Sequence, residues 1–465
     1  MTTDKINEPQ DTSLRSIWRL TWPQMLMMLF HFLIGFTDVW VAGRIDANVQ
    51  ASFGIVTQCM FFLLVVATAM ASGAVASISQ ALGACKYQRA RRYILLITYA
   101  GFAAGLIIAS IGLLFREPFL RLLMVPEDIL PVAVYFWAVY LLALPANYLV
   151  TVSNAAFRAS KRVMSPLCTM VLICAINATS SLGFGLGLWG LPNYGFAGVA
   201  WSTFFSLTAG AIFNIAMLYR CSLKDCSFLL PWRWVRSGAP YLIKVAMPAA
   251  GMQVMWQSGY LVLFAIVGSL PKPADSVVAL AGLTAGMRIE SLLFLPAMAF
   301  SMTASILVGH FLGAEQKLEA KRVGLRILLV GVSSMTVFAA CMWPWVPEIS
   351  AFLAPDPAVT AVTVRYLYIN LLTIPFTIAS MTLSGIMTGA GATIYTFMVY
   401  TSATWFIRLP CAWFLGHILW KDVEGVFIAM LISQVLQSTT MLWMFHYKDW
   451  TKYSMASAKH KNRSL

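Results

Sequence analysis

Long apolar stretches follow one another along the whole 465-residue chain. Apolar runs of about twenty residues are long enough to cross a bilayer as helices. The predicted spans are 17–42, 51–80, 93–115, 129–155, 165–189, 196–219, 241–268, 277–308, 324–346, 359–387, 394–417 and 424–447. The pattern therefore predicts an all-α integral membrane protein with twelve transmembrane helices.

The composition agrees with this fold class. Hydrophobic residues make up 60% of the chain and charged residues only 11%, whereas soluble globular proteins carry about 25% charged residues. These values exclude a large soluble protein with buried helices.

Of the 32 basic residues, three lie inside or near predicted spans, and the others are unevenly divided between the two sets of loops that alternate along the chain. One set, which includes both termini, holds 24 of them and the other set holds 5. Cytoplasmic loops are enriched in Lys and Arg, so both termini are predicted to be cytoplasmic. Topology thus explains the net charge of +14, and no nucleic-acid partner is needed. We expect a multi-pass protein of the inner (plasma) membrane, in contact with lipid, without a cleaved signal peptide.

The longest polar segment, 219–244, separates two halves of six spans each. The sequence "PWRWV" within it predicts a short interfacial helix. The predicted domains are a cytoplasmic tail (1–16), an N-terminal lobe (17–219), a cytoplasmic linker (220–240), a C-terminal lobe (241–447) and a second cytoplasmic tail (448–465).

The two halves resemble each other at a nearly constant offset. Leu-Gly-Ala at 82–84 recurs at 312–314, an offset of 230. Such a repeat indicates a duplication, and an even number of spans gives both copies the same orientation in the membrane. We therefore expect two six-helix lobes related by a pseudo-two-fold axis along the membrane normal. Repeats of this kind are typical of secondary transporters that work by alternating access.

Four prolines occupy matching places in the two halves. Pro145 aligns with Pro375 at an offset of 230, and Pro23 aligns with Pro248 at an offset of 225. Proline interrupts the hydrogen-bond ladder of a helix, so each is predicted to kink its span. Kinks at equivalent places would suit a rocking or bending motion.

The sequence contains no pattern for a cofactor or for catalysis. Its eight cysteines are scattered, and none has metal-ligand spacing with a histidine. The phosphate-binding pattern GxxxxGK[ST] does not occur, so direct use of ATP is not expected. We predict no enzymatic activity, no bound metal and no cofactor.

Several segments resemble the multidrug and toxic compound extrusion (MATE) family of transporters. They are "LTWPQMLMMLFHFLIGFTDVWVAGRI", "LGACKYQRARR", "GLTAGMRIESLLFLPAMAF", "VGHFLGAEQKLEAKR" and "VEGVFIAMLISQVLQSTTMLWMF". The resemblance covers nearly the whole chain, and the combination is specific although each motif alone is weak. It implies a prokaryotic twelve-helix, two-lobed exporter of drugs or metabolites, often organic cations, driven by a proton or sodium gradient.

Asp38 lies near the end of the first apolar run. An acid inside a membrane helix costs about 3 kcal/mol to insert, so it is retained for a reason. An apolar surrounding favours the neutral form of a carboxyl group, and a group that alternates between neutral and charged forms suits proton or sodium coupling. The alternative is an interfacial residue paired with Arg44. The resemblance to the span-one acid of the MATE family favours coupling.

The resemblance adds three polar residues to Asp38 as a cation-coupling cluster. Asn177 and Ser181 lie four apart in span five, on one helix face, where similar family members pair Asn with Asp. Thr203 of span six matches a further polar position of that cluster. A single carboxylate with neutral partners favours H⁺, although the same oxygens could ligate Na⁺. Hydrogen bonding between helices is the alternative role for Asn177 and Ser181.

Further candidates for a substrate cavity lie in the first half. His31 and Met27 share the helix face of Asp38, seven and eleven residues before it. A lone histidine on an apolar face is more often a hydrogen-bonded core residue. Asn154 completes the candidates in this half.

In the second half, the resemblance places Trp256 and Ile378 where one branch of the family has sodium-binding acids. Arg288 and Glu290 of span eight are two residues apart and do not face each other. Glu290 is a candidate to bind a cationic substrate or a second proton, and a structural ion pair is the alternative. Trp256, Arg288 and Glu290 are therefore the cavity candidates in this half.

The function predicted from these features is export of a small, cationic molecule by a monomeric proton or sodium antiporter. A flippase of lipid-linked saccharides is the first alternative, but it would need more basic residues inside the cavity. A membrane-embedded transferase is the second, and it would need paired acids or a metal cluster near one interface.

Overall fold

The computed structural model describes residues 13–223, 230–270, 273–354 and 356–455. Parts of both predicted tails and the middle of the predicted linker lie outside these ranges. The helices are α1 (Leu14–Ile45), α2 (Ala47–Gly83), α3 (Tyr87–Leu114), α4 (Arg116–Leu122), α5 (Leu130–Ala159), α6 (Met164–Leu186), α7 (Phe196–Leu218), α8 (Trp232–Gly268), α9 (Pro273–Gly313), α10 (Lys317–Met342), α11 (Val346–Leu353), α12 (Pro357–Ala390), α13 (Thr393–Ser402), α14 (Leu409–Trp413) and α15 (Val423–Tyr447). The all-helical fold class is confirmed.

Within the described ranges, eleven helices are long and apolar enough to cross a membrane. The remaining predicted span, 394–417, which is the eleventh in chain order, corresponds to a helical stretch that two π-helical turns interrupt. These turns are Ala403–Arg408 and Phe414–Leu419, on either side of α14. Each wider turn divides the α-helix into pieces shorter than a membrane span.

The chain folds into two compact units, residues 1–246 and 247–465. In the first unit, α5 packs against α2, α3 and α7, while α6 packs against α1 and α7. In the second unit, α12 packs against α9, α10 and α15, and the π-helical turns pack against α15. The fourth span of each unit thus packs against the second, third and sixth spans of that unit, which supports the duplication predicted from the sequence.

The seventh span begins earlier than the polar pattern predicts. Residues 232–240 belong to the predicted linker, yet α8 runs without interruption from Trp232 to Gly268. The ring of Trp234 packs on Tyr93 of α3, with centroids 5.1 Å apart, and the Tyr93 hydroxyl donates to the Gly238 carbonyl at 3.5 Å. This support on one face stabilises a helix through residues that commonly break helices.

The four predicted kink residues all lie within helices. Pro23, Pro145 and Pro375 lie inside α1, α5 and α12, and Pro248 lies within the bounds of α8. A further proline that was not predicted as a kink, Pro296, lies inside α9. Each removes one donor from its helix ladder; bending at these points stays a prediction.

Helices α9 and α12 approach each other at two glycines. A Cβ atom on Gly385 would collide with the backbone of Ser301, and one on Gly389 would collide with the backbone of Ser305. Glycines four residues apart form a flat strip on a helix, and such strips let membrane helices come into backbone contact. The close packing of α9 on α12 therefore depends on these two residues.

Candidate functional site

The carboxylate of Asp38 lies at the centre of a buried polar cluster in the first unit. Asp38 is only 2% exposed. The Ser181 hydroxyl donates to its Oδ1 at 2.8 Å, and the Thr203 hydroxyl donates to its Oδ2 at 3.0 Å. The Asn177 amide donates to the same Oδ2 at 3.3 Å. The structure thus brings together the four residues predicted as the coupling cluster, which we call the Asp38 cluster.

Helix periodicity explains why these side chains meet. Asn177 and Ser181 are one turn apart on α6, so both face the same neighbour. Helix α6 packs against α1, which carries Asp38, and against α7, which carries Thr203. The acid on α1 therefore faces polar side chains from two neighbouring apolar helices, α6 and α7.

Tyr140 of α5 extends the cluster and was not predicted. Its hydroxyl lies 3.3 Å from the Thr203 hydroxyl, and the Asn177 amide also donates to that oxygen at 3.3 Å. A tyrosine in an apolar span usually indicates packing, so no sequence pattern signals this contact. Tyr140 and Asn177 together hold the Thr203 hydroxyl in a position to donate to Asp38.

All of the groups bonded to Asp38 are neutral. Within the described ranges, no ion pair joins Asp38 to a basic side chain. Arg44, the alternative partner that the sequence offers, instead places its guanidinium 4.9 Å from the ring centre of Trp40. Asp38 is therefore a buried carboxylate that forms no ion pair with the described basic side chains.

The Asn177 side chain has one unused atom. Its Oδ1 is buried, and no group in the described part of the chain donates to it. Buried amide oxygens usually have a partner. The unused oxygen is thus an acceptor beside the carboxylate, available to a proton-bearing group or to a cation.

The second unit contains a different buried cluster, which was not predicted as a whole. Glu290 of α9 is 6% exposed and accepts a hydrogen bond from the Tyr366 hydroxyl. Arg408 lies in the π-helical turn Ala403–Arg408 and is 2% exposed. The cavity that both residues line also includes Tyr260, Tyr366, Asn370, Thr373 and Gln434. We call this the Glu290–Arg408 cluster.

Arg408 is fixed on several sides. Its Nε donates to the Ser433 hydroxyl at 2.9 Å, and its Nη2 donates to Gln434 Oε1 at 3.3 Å. The guanidinium lies 5.3 Å from the ring centre of Trp256 and 5.8 Å from that of Tyr260. A charged residue inside a predicted span was a signal that could have identified Arg408 from the sequence.

The other cavity candidates occupy varied places. Met27 is buried, at 2% exposure, while His31 on the same helix is exposed. Asn154 is buried in a separate network, where it accepts a hydrogen bond from Asn214 at 2.9 Å. Arg288 is exposed on α9 although Glu290 is buried, so these two charges point apart as predicted.

Long apolar helices around a buried polar cluster are typical of a multi-pass membrane transporter. A family model described as MatE matches residues 23–181 and 248–414, once in each unit. The chain therefore belongs to the MatE family, whose members are efflux transporters and not enzymes. The two matched segments start 225 residues apart, which is the offset between Pro23 and Pro248.

Known relatives are similar to this chain over nearly its full length. The uncharacterized transporter YisQ of Bacillus subtilis is 20% identical over 97% of this chain and 98% of its own. The probable multidrug resistance protein NorM of Thermotoga maritima is 23% identical, covering 94% and 93%. A crystal structure of MATE in the bent conformation superposes with a TM-score of 0.87 over all of both chains at 17% identity. That structure confirms the fold.

Proposed function

We propose that this multi-pass membrane protein exports a small organic cation in exchange for protons, with the Asp38 cluster as the coupling site. The observation that carries the proposal is the buried Asp38 carboxylate, which has three neutral hydrogen-bond donors and no ion pair with a basic side chain of the described residues. A buried charge of this kind is costly unless it is compensated. Binding a proton removes the charge and its cost.

The surrounding groups suit both forms of the carboxyl group. When Asp38 is ionised, Ser181, Thr203 and Asn177 donate to it as observed. When Asp38 is protonated, it needs an acceptor, and rotation of the Asn177 amide would present its unused Oδ1. The cluster therefore stabilises each state of the exchange without a second charged group.

Sodium is the alternative coupling ion. The Asp38 carboxylate, two hydroxyl oxygens and the Asn177 Oδ1 could serve as oxygen ligands, which hard cations require. The proton is favoured because the side chains that hydrogen-bond to Asp38 are all neutral, so the cluster supplies one carboxylate. A single carboxylate with neutral partners is sufficient for a proton.

Efflux of ethidium, a fluorescent cation, tests the coupling ion. We expect cells that express the protein to lose ethidium while a pH gradient is present and to stop when nigericin collapses it. Replacing external sodium by choline is expected to leave efflux unchanged, because the proposed exchange does not involve sodium. Efflux that follows the sodium gradient and ignores the pH gradient would show that the coupling ion is wrong.

We also propose that both termini are cytoplasmic in the plasma membrane, from the asymmetry of basic residues. A cysteine at Lys86, in a Cys85→Ser background, should resist a membrane-impermeant maleimide applied to intact cells. A cysteine at Lys421, in the opposite set of loops, should react; both positions are exposed. Reaction at position 86 with protection at 421 would reverse the proposed orientation.

A further inference from the structure

The first residues of the predicted C-terminal tail are packed against the second unit. Just beyond α15, residues Trp450–Tyr453 form a short 3₁₀ turn. Trp450 is fully buried, at 0% exposure, and Thr451 and Ser454 are each 2% exposed. Chain ends are usually poorly ordered unless contacts tie them down. This segment is tied down, and we call residues 448–455 the C-terminal strap.

Trp450 attaches the strap to the end of α15. Its ring stacks on that of Phe445, with centroids 5.5 Å apart and planes inclined by 19°, and its Nε1 donates to the Phe445 carbonyl at 3.0 Å. Phe445 in turn lies where two other helices meet. A Cβ atom on Gly324 of α10 would lie 3.7 Å from the Phe445 ring and 3.0 Å from Ile386 of α12. Trp450 therefore packs on a side chain that contacts the neighbouring helices.

Tyr453 carries the strap to the start of α13. Its ring meets that of Tyr395 edge to face, with centroids 5.4 Å apart and planes at 76°. Aromatic pairs in this arrangement are favourable beyond the area that they bury. Tyr395 is the third residue of α13, and the turn that holds Tyr453 also packs against α12. The strap thus contacts both helices on either side of the α12–α13 connection.

Asp449 directs the strap towards the start of α10. Its Oδ1 accepts a hydrogen bond from the Thr451 hydroxyl at 2.6 Å. This bond, together with the positive charges of Lys317 and Lys321, holds the pKa of the Asp449 carboxyl below its usual value. Both lysines lie in the first turns of α10. Asp449 is exposed, so salt weakens these attractions, and the buried aromatic contacts remain the main attachment.

We propose that the C-terminal strap is a clamp that holds the adjoining ends of α10, α12, α13 and α15 together as one rigid block, with Trp450 as its anchor. The inference concerns the second unit alone and does not rest on the proposed export of a cation. It gives part of the C-terminal tail a mechanical role, because these four helix ends can separate only when the strap is released.

Hydrogen–deuterium exchange of the purified full-length protein in detergent tests the clamp. Exchange reports how often a region opens locally. In Trp450→Ala we expect exchange in the first two turns of α10 and α13 to become about a hundredfold faster, as the loss of a buried tryptophan implies. Helix α2, in the first unit, should exchange as before. Unchanged exchange in α10 and α13, or equal acceleration in α2, would overturn the proposal.

Trp443→Ala is the matched control. Trp443 lies on α15 close to the strap, 5.4 Å from the ammonium group of Lys448, but it is 48% exposed. The substitution removes the same side chain without removing a buried contact, so exchange in α10 and α13 should stay unchanged. Acceleration as large as that in Trp450→Ala would contradict the role of Trp450 as the anchor.

Two milder variants test the clamp even if Trp450→Ala does not fold. Tyr453→Ala removes the contact with α13 and should accelerate exchange in the first turns of α13 more than in those of α10. Asp449→Asn removes the charge that faces α10 and should accelerate exchange in α10 alone, by a smaller factor. If neither variant changes exchange in its own helix, the strap does not hold these helix ends together.

Discussion

Asp38→Asn is expected to reduce gradient-driven ethidium efflux to the level of cells without the protein. Asparagine keeps the size of the side chain and retains polar contacts with Ser181 and Thr203, which donate to Asp38 in the structure. It cannot alternate between a charged and a neutral form, and this alternation is the proposed basis of coupling. The effect should therefore be on transport and not on the amount of folded protein.

Ser181→Ala is the matched control for this substitution. It removes one of three neutral donors to Asp38, and a hydrogen bond to a charged group contributes about 1.5–3 kcal/mol. We expect slower efflux that still depends on the gradient. Fluorescence-detected size exclusion checks that both variants are folded. Active efflux by Asp38→Asn against a gradient would show that the carboxylate is structural.

Gly385→Ala is expected to lower the thermal stability of the protein strongly for a change of one methyl group. The new Cβ would collide with the backbone of Ser301 on α9, and backbone atoms cannot move aside as a flexible side chain can. Overpacking of this kind costs about 1–3 kcal/mol and occasionally more. The measurement is the temperature at which the detergent-solubilised protein loses its monodisperse size-exclusion peak.

Gly54→Ala provides the comparison for that experiment. Gly54 lies in α2, and a Cβ atom there would meet nothing within 4 Å. Alanine favours a helix over glycine by about 1 kcal/mol, so this variant should be as stable as the unsubstituted protein or more so. Equal thermal stability of the two variants would mean that α9 and α12 do not pack in backbone contact.

The sequence predicted the Asp38 cluster because two independent signals agreed. An acid in an apolar span is costly enough to stand out, and the four-residue spacing of Asn177 and Ser181 fixes a common helix face. The resemblance to the MATE family joined these residues across helices, and the hydrogen bonds confirm that they meet. Tyr140 was missed because tyrosine in a span has no distinctive pattern.

The remaining differences between the predictions from the sequence and the structure arise from tertiary contacts. The early start of α8 depends on the packing of Trp234 against Tyr93, residues far apart in sequence. The Glu290–Arg408 cluster joins α9 to a π-helical turn, and an apolar run does not reveal where a helix widens. The hydrophobic pattern of the sequence located the spans. The places where charged side chains lie together could be identified only from the contacts between helices.

The π-helical turn Ala403–Arg408 sets the direction in which the Arg408 side chain leaves its helix. That direction depends on the number of residues in the turn. A π turn holds one residue more than the α-helical turn it replaces, and each residue of an α-helix turns the side-chain direction by about 100°. Arg408 is the last residue of this turn. Loss of a single residue there would restore a regular helix and turn the guanidinium away from the cavity that it lines together with Glu290. The same loss in Phe414–Leu419, beyond Arg408, would leave its aim unchanged, so the two turns are not equivalent targets for length variation.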